Sequence, residues 1–130
     1  RGEDLTVFGD GSQTRSFCFV EDEIEGIYRL LMSEYHLPVN IGNPDEISIL
    51  DFAKEIIDLT GTDQKIVYKE LPKNDPLQRK PDITKAKEIL SWEPQIGRKE
   101  GMQRTYAYFK SLTPDELNKM EHRDFSSFKS

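Results

Sequence analysis

The spacing of apolar and polar residues predicts a few short strands separated by helices. Residues 5–8 are rich in β-formers and end at Gly9 and Gly11, which accept the positive φ angles of a tight turn. Residues 65–69 alternate charged and apolar side chains, as a half-exposed strand does. Residues 39–41 predict a further short, buried strand.

Two helices follow from apolar residues that recur at helical spacing. The first covers residues 21–34, and the acidic side chains at its start suit the positive end of a helix dipole. Ser48 and Asp51 have the spacing of a capping box for the second helix, and Gly61 is the predicted end of that helix.

The second half of the chain predicts two shorter helices and a large apolar anchor. Asp82 is expected to cap one helix, with Trp92 fixing its end, and residues 98–110 form the next. Thr113 precedes a proline that opens a small last helix. The residues expected to face inward on the Asp82 helix are Ile83, Ala86, Ile89 and Leu90.

Length and composition restrict the class of protein. A chain of 130 residues fits one small domain, and a net charge of −6 without a basic run argues against a nucleic-acid surface. Cys18 is the only cysteine, which excludes an intrachain disulfide and favours a reducing compartment. Without a signal peptide or an apolar run of spanning length, the prediction is a cytoplasmic protein that does not enter membranes.

Arg15 is the residue whose position points most directly to a ligand. It follows the glycine turn, and its planar fork of five donors suits phosphate or carboxylate, with Phe17 and Phe19 as an apolar anchor beyond it. The alternative is an ordinary hairpin with a solvated arginine. The polar loop 71–81, which contains Arg79, is the other place where function is expected.

Four stretches of sequence carry a resemblance to a known family. Val7-Phe-Gly-Asp-Gly-Ser-Gln-Thr-Arg-Ser-Phe-Cys-Phe-Val-Glu-Asp22 resembles the substrate-domain signature of extended short-chain dehydrogenases that act on nucleotide sugars. Val39-Asn-Ile-Gly-Asn-Pro44, Arg79-Lys-Pro-Asp-Ile83 and Leu90-Ser-Trp-Glu-Pro94 follow in the order of that family. The likeness is greatest to the UDP-glucuronate decarboxylase branch.

The resemblance implies an α/β fold, here the C-terminal substrate domain with short strands and about four helices, the Rossmann core being mostly absent. Residues 1–112 would be the nucleotide-sugar-binding region, with residues 21–43 at the edge of the Rossmann domain. Residues 113–130 would be a C-terminal tail with a short helix. We therefore expect a piece of a longer enzyme that forms homo-oligomers.

The activity implied for the intact enzyme is NAD-dependent decarboxylation of UDP-glucuronate to UDP-xylose. NAD oxidises the C4 hydroxyl, the C6 carboxylate is lost from the β-keto acid, and the hydride returns. The glycines of this chain lack the spacing of a dinucleotide fingerprint, and its two histidines are isolated. We therefore expect NAD to bind mainly to the N-terminal domain, and neither cofactor nor metal to bind this chain alone.

The resemblance assigns the diphosphate and nearby sugar of the UDP-sugar substrate to Arg15 and Arg79, which would approach from two sides. Arg79 is also a possible participant in decarboxylation. The alternative for Arg79 is a structural ion pair with Asp75 or Asp82.

Other binding residues are expected in the first strand and its turn. The resemblance implies that Val7 and Phe8 hold the uracil through backbone groups, and Gln13 is a candidate for the ribose or phosphate. Asn40 and Asn43 bracket a turn, where asparagine bonds locally, so a structural role is expected for both.

Tyr106 and Lys110 have the Tyr-x-x-x-Lys spacing of the catalytic pair in short-chain dehydrogenases. We interpret the pair as accidental, because it follows the substrate-domain signatures instead of preceding them. Tyr106 also shares an apolar helix face with Met102 and Phe109, which predicts a core aromatic residue.

Two other functions remain open. A dTDP-glucose 4,6-dehydratase or a UDP-sugar 4-epimerase shares these signatures, although the Arg-Ser-Phe and Arg-Lys-Pro wording favours the decarboxylase. A free-standing interaction domain without a ligand is the alternative of another class. The family resemblance also implies that the apolar stripe of residues 24–31 and the strand 39–41 lose their usual partners in the absent nucleotide-binding sheet. This predicts a dimer or higher oligomer, or a rearranged monomer that covers them with residues 113–128.

Overall fold

The structure is a computed structural model that describes residues 2–73 and 76–121, the last four of them by backbone alone. The predicted tail with Phe125 and Phe128, and the carboxylate of Asp75, lie outside these residues. The elements in chain order are β1 (Leu5–Phe8), β2 (Thr14–Ser16), α1 (Val20–Met32), β3 (Glu46–Ser48), α2 (Ile49–Thr60), β4 (Ile66–Lys69), α3 (Thr84–Leu90), α4 (Arg98–Ser111) and α5 (Pro114–Glu121).

The described strands form two separate two-stranded sheets. β1 pairs in parallel with β4, so that Leu5 lies opposite Ile66 and Phe8 opposite Lys69. β2 pairs antiparallel with β3, with Arg15 opposite Ile47. This confirms a mixed α/β fold with short strands and the predicted strands 5–8 and 65–69. The β2–β3 pair was not predicted, because three-residue strands are too short to show a period.

The hydrophobic core lies around α3 and Trp92. Trp92 is 2% exposed, and its indole Nε1 donates to the backbone oxygen of Asp22 at 3.0 Å. The buried carboxylate of Asp22 accepts from the backbone N–H of Ile96 at 2.8 Å. Trp92 thus anchors the end of α3 as predicted. The buried members of the cluster are Ile83, Ala86, Leu90 and Trp92.

α1 packs on this core through its smallest residue. A Cβ on Gly26 would lie 2.5 Å from Cγ2 of Ile41 and 3.1 Å from the Trp92 ring, so only glycine allows this close approach. The opposite face of α1 carries an apolar stripe that is 53–77% exposed. The residues of this α1 stripe are Ile24, Ile27, Tyr28 and Leu31.

Residues 39–41 correct the sequence prediction, because they do not form a strand. No described strand lies beside them, and the side chains of Val39 and Ile41 pack against the core cluster instead. A second correction concerns Ile89, which is 40% exposed because it lies on the outer face of α3. The predicted cap at Asp82 is a third correction, because the N-cap of α3 is Ile83, without a side-chain cap bond. Asp82 instead accepts from Thr84 N–H at 2.9 Å in the turn that leads into the helix.

α2 begins and ends as predicted. Ser48 Oγ accepts from the Asp51 N–H at 3.0 Å, and Gly61 ends the helix at φ 62°. A bidentate ion pair from Arg98 to Glu55, at 3.0 and 3.2 Å, joins α2 to the start of α4. No helix among residues 2–73 and 76–121 is long and apolar enough to cross a membrane.

Candidate functional site

Strand β2 lies beside residues 76–80, which we call the Arg79 segment. Thr14 N–H donates to the carbonyl of Leu77 at 2.8 Å, and Ser16 Oγ donates to the carbonyl of Arg79 at 3.1 Å. Arg15 Nη1 donates to the carbonyl of Pro76 at 2.8 Å. The structure therefore brings together the two arginines that the sequence separates by more than sixty residues.

These contacts form one wall of an open cleft of about 520 Å³. Three cationic side chains meet there, although the chain as a whole carries a net charge of −6. Such a concentration of positive charge in a concave site favours an anionic ligand. The described residues that line this arginine cleft are Arg15, Ser16, Phe17, Asn40, Arg79, Lys80 and Pro81.

Arg15 is half-buried, and its direction is fixed by the strand. Its Nη1 donates to the carbonyl of Thr14 at 2.7 Å as well as to that of Pro76. β2 pairs with β3 and not with β1, so the alternative of a simple hairpin across the glycine turn is wrong. The guanidinium is part of a built wall rather than a solvated side chain.

Arg79 is exposed at the same cleft. The carboxylate of Asp82, one of the ion-pair partners considered from the sequence, accepts from the N–H and hydroxyl of Thr84 at 2.9 and 2.6 Å. These hydrogen bonds lower the pKa of the Asp82 carboxyl. No ion pair between Arg79 and Asp82 forms within the described part of the chain.

The glycine turn is closed by internal contacts. Gln13 is 5% exposed, and its Nε2 donates to the carbonyl of Phe8 at 2.8 Å. A Cβ on Gly11 would come within 2.8 Å of Val7 and Leu50 side-chain atoms, so the protein itself fills the space beside this glycine. Gln13 therefore holds the turn, and its role toward ribose or phosphate stays a prediction.

Strand β4 pairs with one edge of β1, and the side chain of Gln13 occupies part of the other. Leu5 and Gly9 N–H groups donate to carbonyls of Lys65 and Lys69 on the β4 side, both at 2.8 Å. Alternation along a strand places the N–H groups of Thr6 and Phe8 on the opposite edge. The side chain of Val7 is 1% exposed, and by the same alternation its backbone N–H and C=O point toward β4, so its role toward the uracil stays a prediction.

Two cleft residues were missed by sequence reasoning. Lys80 lines the cleft beside Arg79. Its position next to that arginine in the sequence could have identified it as a cleft residue. Asn40 was expected to bond locally, yet it is exposed at the cleft and its Nδ2 donates to the carbonyl of Asp82 at 3.3 Å. Asn43 has the expected turn role, since its Oδ1 accepts from Asp45 N–H at 3.0 Å.

Tyr106 lies in a different cavity. Together with aromatic residues of β2–α1 and α2 it lines an apolar space of about 400 Å³ between α2 and α4. Lys110 Nζ is 5.8 Å from the centre of the Tyr106 ring, a cation–π distance. Only Phe17 is shared between this apolar cavity and the arginine cleft, which supports the interpretation of Tyr106 as a packing residue.

The glycine turn of this chain differs from a dinucleotide-binding turn. The turn at Gly9 and Gly11 leads into strand β2, whereas a pyrophosphate cradle needs a glycine turn that opens a helix. The space beside Gly11 is filled by Val7 and Leu50. Within residues 2–73 and 76–121, no group of three acidic, histidine or cysteine side chains is placed to hold a metal ion.

Sequence comparison finds curated relatives that are named UDP-glucuronic acid decarboxylases. UDP-glucuronic acid decarboxylase 4 of Arabidopsis thaliana is 48% identical over 102 residues, which cover 78% of this chain and 23% of the relative. UDP-glucuronic acid decarboxylase 1 of Xenopus tropicalis is 43% identical over 118 residues, covering 91% of this chain and 28% of the relative. The chain thus spans about a quarter of the length of these relatives. No protein-family model matches the chain.

Structure comparison finds nucleotide-sugar enzymes. UDP-glucose 4-epimerase of Thermotoga maritima with UDP-glucose is 33% identical, with a TM-score of 0.79 over 84% of this chain and 35% of that enzyme. UDP-glucuronic acid 4-epimerase of Bacillus cereus, in complex with UDP-glucuronic acid and NAD, is 31% identical, with a TM-score of 0.76 over 85% of this chain and 36% of that enzyme.

The fold matches that of the C-terminal part of an extended short-chain dehydrogenase. The chain matches the C-terminal part of enzymes of the NAD-dependent epimerase/dehydratase family, which confirms the resemblance seen in its sequence. Within that family, its curated relatives at 43–48% identity are UDP-glucuronic acid decarboxylases.

Proposed function

We propose that this chain supplies the substrate-binding surface of an NAD-dependent enzyme that decarboxylates UDP-glucuronate to UDP-xylose. The observation that carries the proposal is the arginine cleft, where Arg15, Arg79 and Lys80 line one open space. Relatives named UDP-glucuronic acid decarboxylases support the choice of reaction. The neighbour with UDP-glucuronic acid bound supports the choice of ligand.

In this proposal Arg15 and Arg79 hold the diphosphate of the UDP-sugar from two sides. Hydrogen bonds between guanidinium and phosphate are charge-assisted and roughly twice as strong as neutral ones. Lys80 adds a third positive charge as a point charge without fixed geometry. The cleft therefore grips the part of the substrate that all UDP-sugars share.

The base and the cofactor have different places. The outer backbone edge of β1, at the N–H groups of Thr6 and Phe8, is the proposed site for the uracil, next to the Phe8 carbonyl that already accepts from Gln13. NAD is proposed to bind a part of the enzyme that these residues do not form, since the chain has no cradle for it among its described elements. In this proposal the chain binds and orients the substrate, and Arg79 is its candidate for a part in the decarboxylation step.

A UDP-sugar 4-epimerase is the second candidate. It is favoured by the structural neighbours, which at 31–33% identity are epimerases of UDP-glucuronic acid and UDP-glucose. The relatives at 43–48% identity favour the decarboxylase. Both candidates need the same diphosphate grip, so a binding experiment tests what they share and product analysis separates them.

Titration of the isotope-labelled chain with UDP-glucuronate, UDP and dTDP tests the binding proposal. We expect UDP-glucuronate to shift the resonances of Val7, Phe8, Arg15 and Arg79. Arg79→Ala should weaken binding about tenfold or more, because a hydrogen bond to a charged group contributes about 1.5–3 kcal/mol.

Tyr106→Phe is the matched control for Arg79→Ala. It removes one hydroxyl in the apolar cavity, away from the proposed grip, and should leave the affinity unchanged. Absence of binding in the wild-type chain would support the ligand-free interaction domain. Equal losses from both variants would contradict the interpretation of Tyr106 as a packing residue. In the full-length enzyme, an equal loss of turnover from both variants would return the Tyr106–Lys110 pair to consideration as catalytic.

The α1 stripe is the proposed docking face for the nucleotide-binding domain. Its four apolar residues are 53–77% exposed, a continuous surface that a domain interface would cover. In the chain alone we expect copies to associate through this stripe. Light scattering across a dilution series tests this, and Leu31→Lys should shift the chain toward the monomer, whereas a wild-type monomer at every concentration would contradict it.

A further inference from the structure

Glu46 connects β2 to the Arg79 segment with its two carboxylate oxygens. Oε1 accepts from the hydroxyl of Thr14 at 2.8 Å, and Oε2 accepts from Nε2 of Gln78 at 3.1 Å. Thr14 is the residue before Arg15, and Gln78 is the residue before Arg79. The carboxylate therefore bridges the two stretches of chain that carry the arginines of the cleft.

The backbone at Glu46 is held in place by β3 and by the start of α2. Glu46 begins β3, where it pairs with Ser16 of β2, and the next residue, Ile47, is 8% exposed. Ser48 then caps α2, so the backbone on the C-terminal side of Glu46 is held by a helix. The side-chain torsions of Glu46 can still change, and its two hydrogen bonds restrict them.

The segment on the other side of the bridge has less support of its own. Leu77, Gln78, Arg79 and Lys80 are all exposed, and they contain no helix or strand. The described hydrogen bonds that tie residues 76–80 to β2 are those from Arg15 to Pro76, from Thr14 to Leu77 and from Ser16 to Arg79, and β3 adds the bond between Gln78 and Glu46. The bond from Glu46 is the one tie in which a charged group holds a side chain of this segment.

The charge of Glu46 also acts on the segment. Its hydrogen bonds from Thr14 and then Gln78, with a smaller effect of the nearby Lys80, lower the pKa of its carboxyl. The group is therefore ionised at neutral pH. It is absent from the described residues that line the arginine cleft, so it does not meet a ligand there directly.

We propose that Glu46 is a positioning residue, which acts through Gln78 and Thr14 to set the place of Arg79 opposite Arg15 in the cleft. This inference rests on the proposed UDP-sugar site. A carboxylate near a site for a diphosphate repels the ligand, so its favourable effect has to come from the geometry that it imposes on the arginines.

A double-mutant cycle on UDP-glucuronate affinity tests the proposal. Glu46→Ala should weaken binding about three- to tenfold, as expected for loss of the bonds that orient one arginine. In the Arg79→Ala background, Glu46→Ala should have no further effect, because the arginine that it positions is gone. Glu46→Gln should retain most of the affinity, since an amide keeps a partner for both Thr14 and Gln78.

The control is Glu88→Gln, which removes the same charge on the exposed surface of α3 and should leave affinity unchanged. Trp92 fluorescence shows whether each variant is folded, and a variant that is not folded is replaced by Gln78→Ala, for which the same three- to tenfold loss is expected.

Two results would contradict the positioning role. Unchanged affinity in Glu46→Ala would overturn it, and so would losses from Glu46→Ala and Arg79→Ala that simply add. A wild-type chain that does not bind UDP-glucuronate would overturn the proposed function itself. That result can be distinguished from the two that contradict the positioning role.

Discussion

The core around Trp92 and the arginine cleft are held by different forces, although they share the stretch from Arg79 to Ile83. In the core, four buried residues are each at most 8% exposed and pack by shape, with one indole hydrogen bond to Asp22. In the cleft, Arg79 and Lys80 are exposed, and backbone carbonyls, Ser16 and Glu46 hold their segment. The core should therefore determine stability, while the cleft should determine binding with little influence on stability.

The largest expected effect is in the core. Trp92→Ala removes a side chain that is 2% exposed together with its bond to Asp22, and should lower the free energy of unfolding by about 3–5 kcal/mol. Denaturant unfolding followed by circular dichroism measures it. Tyr108→Ala, at a side chain that is 54% exposed, is the control and should change stability by less than about 0.5 kcal/mol. Similar losses in both variants would contradict this account of the core.

The second effect tests how closely α1 approaches the core. Gly26→Ala places a Cβ 2.5 Å from Cγ2 of Ile41, and should lower the free energy of unfolding by about 1–3 kcal/mol despite the better helix propensity of alanine. In an Ile41→Ala background the same substitution should cost less, because the clashing methyl is absent. Chemical denaturation of the four proteins gives the coupling, and additive losses would show that the helix moves away instead.

Sequence reasoning predicted the core better than the cleft, for a physical reason. The capping of α2 by Ser48 depends on a neighbour three residues away, and such a local pattern is visible in a sequence. Trp92 was predicted as an anchor from its size and its place after α3, although its bond to Asp22 spans 70 residues. The pairing of β2 with β3 joins residues about thirty positions apart, so no period in either three-residue strand reveals it.

The candidate site was predicted only in part, from residue types and from the family resemblance. Arg15 and Arg79 were identified, but the contacts that join their segments, from Ser16 and Glu46, depend on the folded path of the loop. Residues 39–41 show the opposite case, since their apolar pattern suits a strand, yet no described strand lies beside them to accept their hydrogen bonds.

A third prediction tests whether Cys18 belongs to the core. Cys18 packs against the core cluster although it lies three residues after Arg15. Burial, followed by repulsion from Glu23, raises the pKa of its thiol from 9.0 to about 12. Above pH 9 the unfolded chain loses this proton first, so stability should fall as the pH rises toward 12.

Cys18→Ala removes that titration and should flatten the fall in stability over the same pH range, the effects of lysines and tyrosines being common to both proteins. Urea unfolding of wild type and variant between pH 8 and pH 11 measures the difference. Parallel curves would show that Cys18 is solvated like a cleft residue and does not belong to the core.

The smallest expected change in stability is also the strictest test of the difference between the core and the cleft. Arg79→Ala removes an exposed side chain, while the tie to Ser16 uses the Arg79 backbone oxygen, which alanine retains. The free energy of unfolding should therefore change by less than about 0.5 kcal/mol, in the same variant that is expected to lose UDP-glucuronate affinity. Denaturant unfolding without ligand measures it, with Arg79→Lys as the comparison that keeps the charge. A loss above about 1 kcal/mol would mean that the guanidinium supports the fold, and that the cleft and the core are not separable.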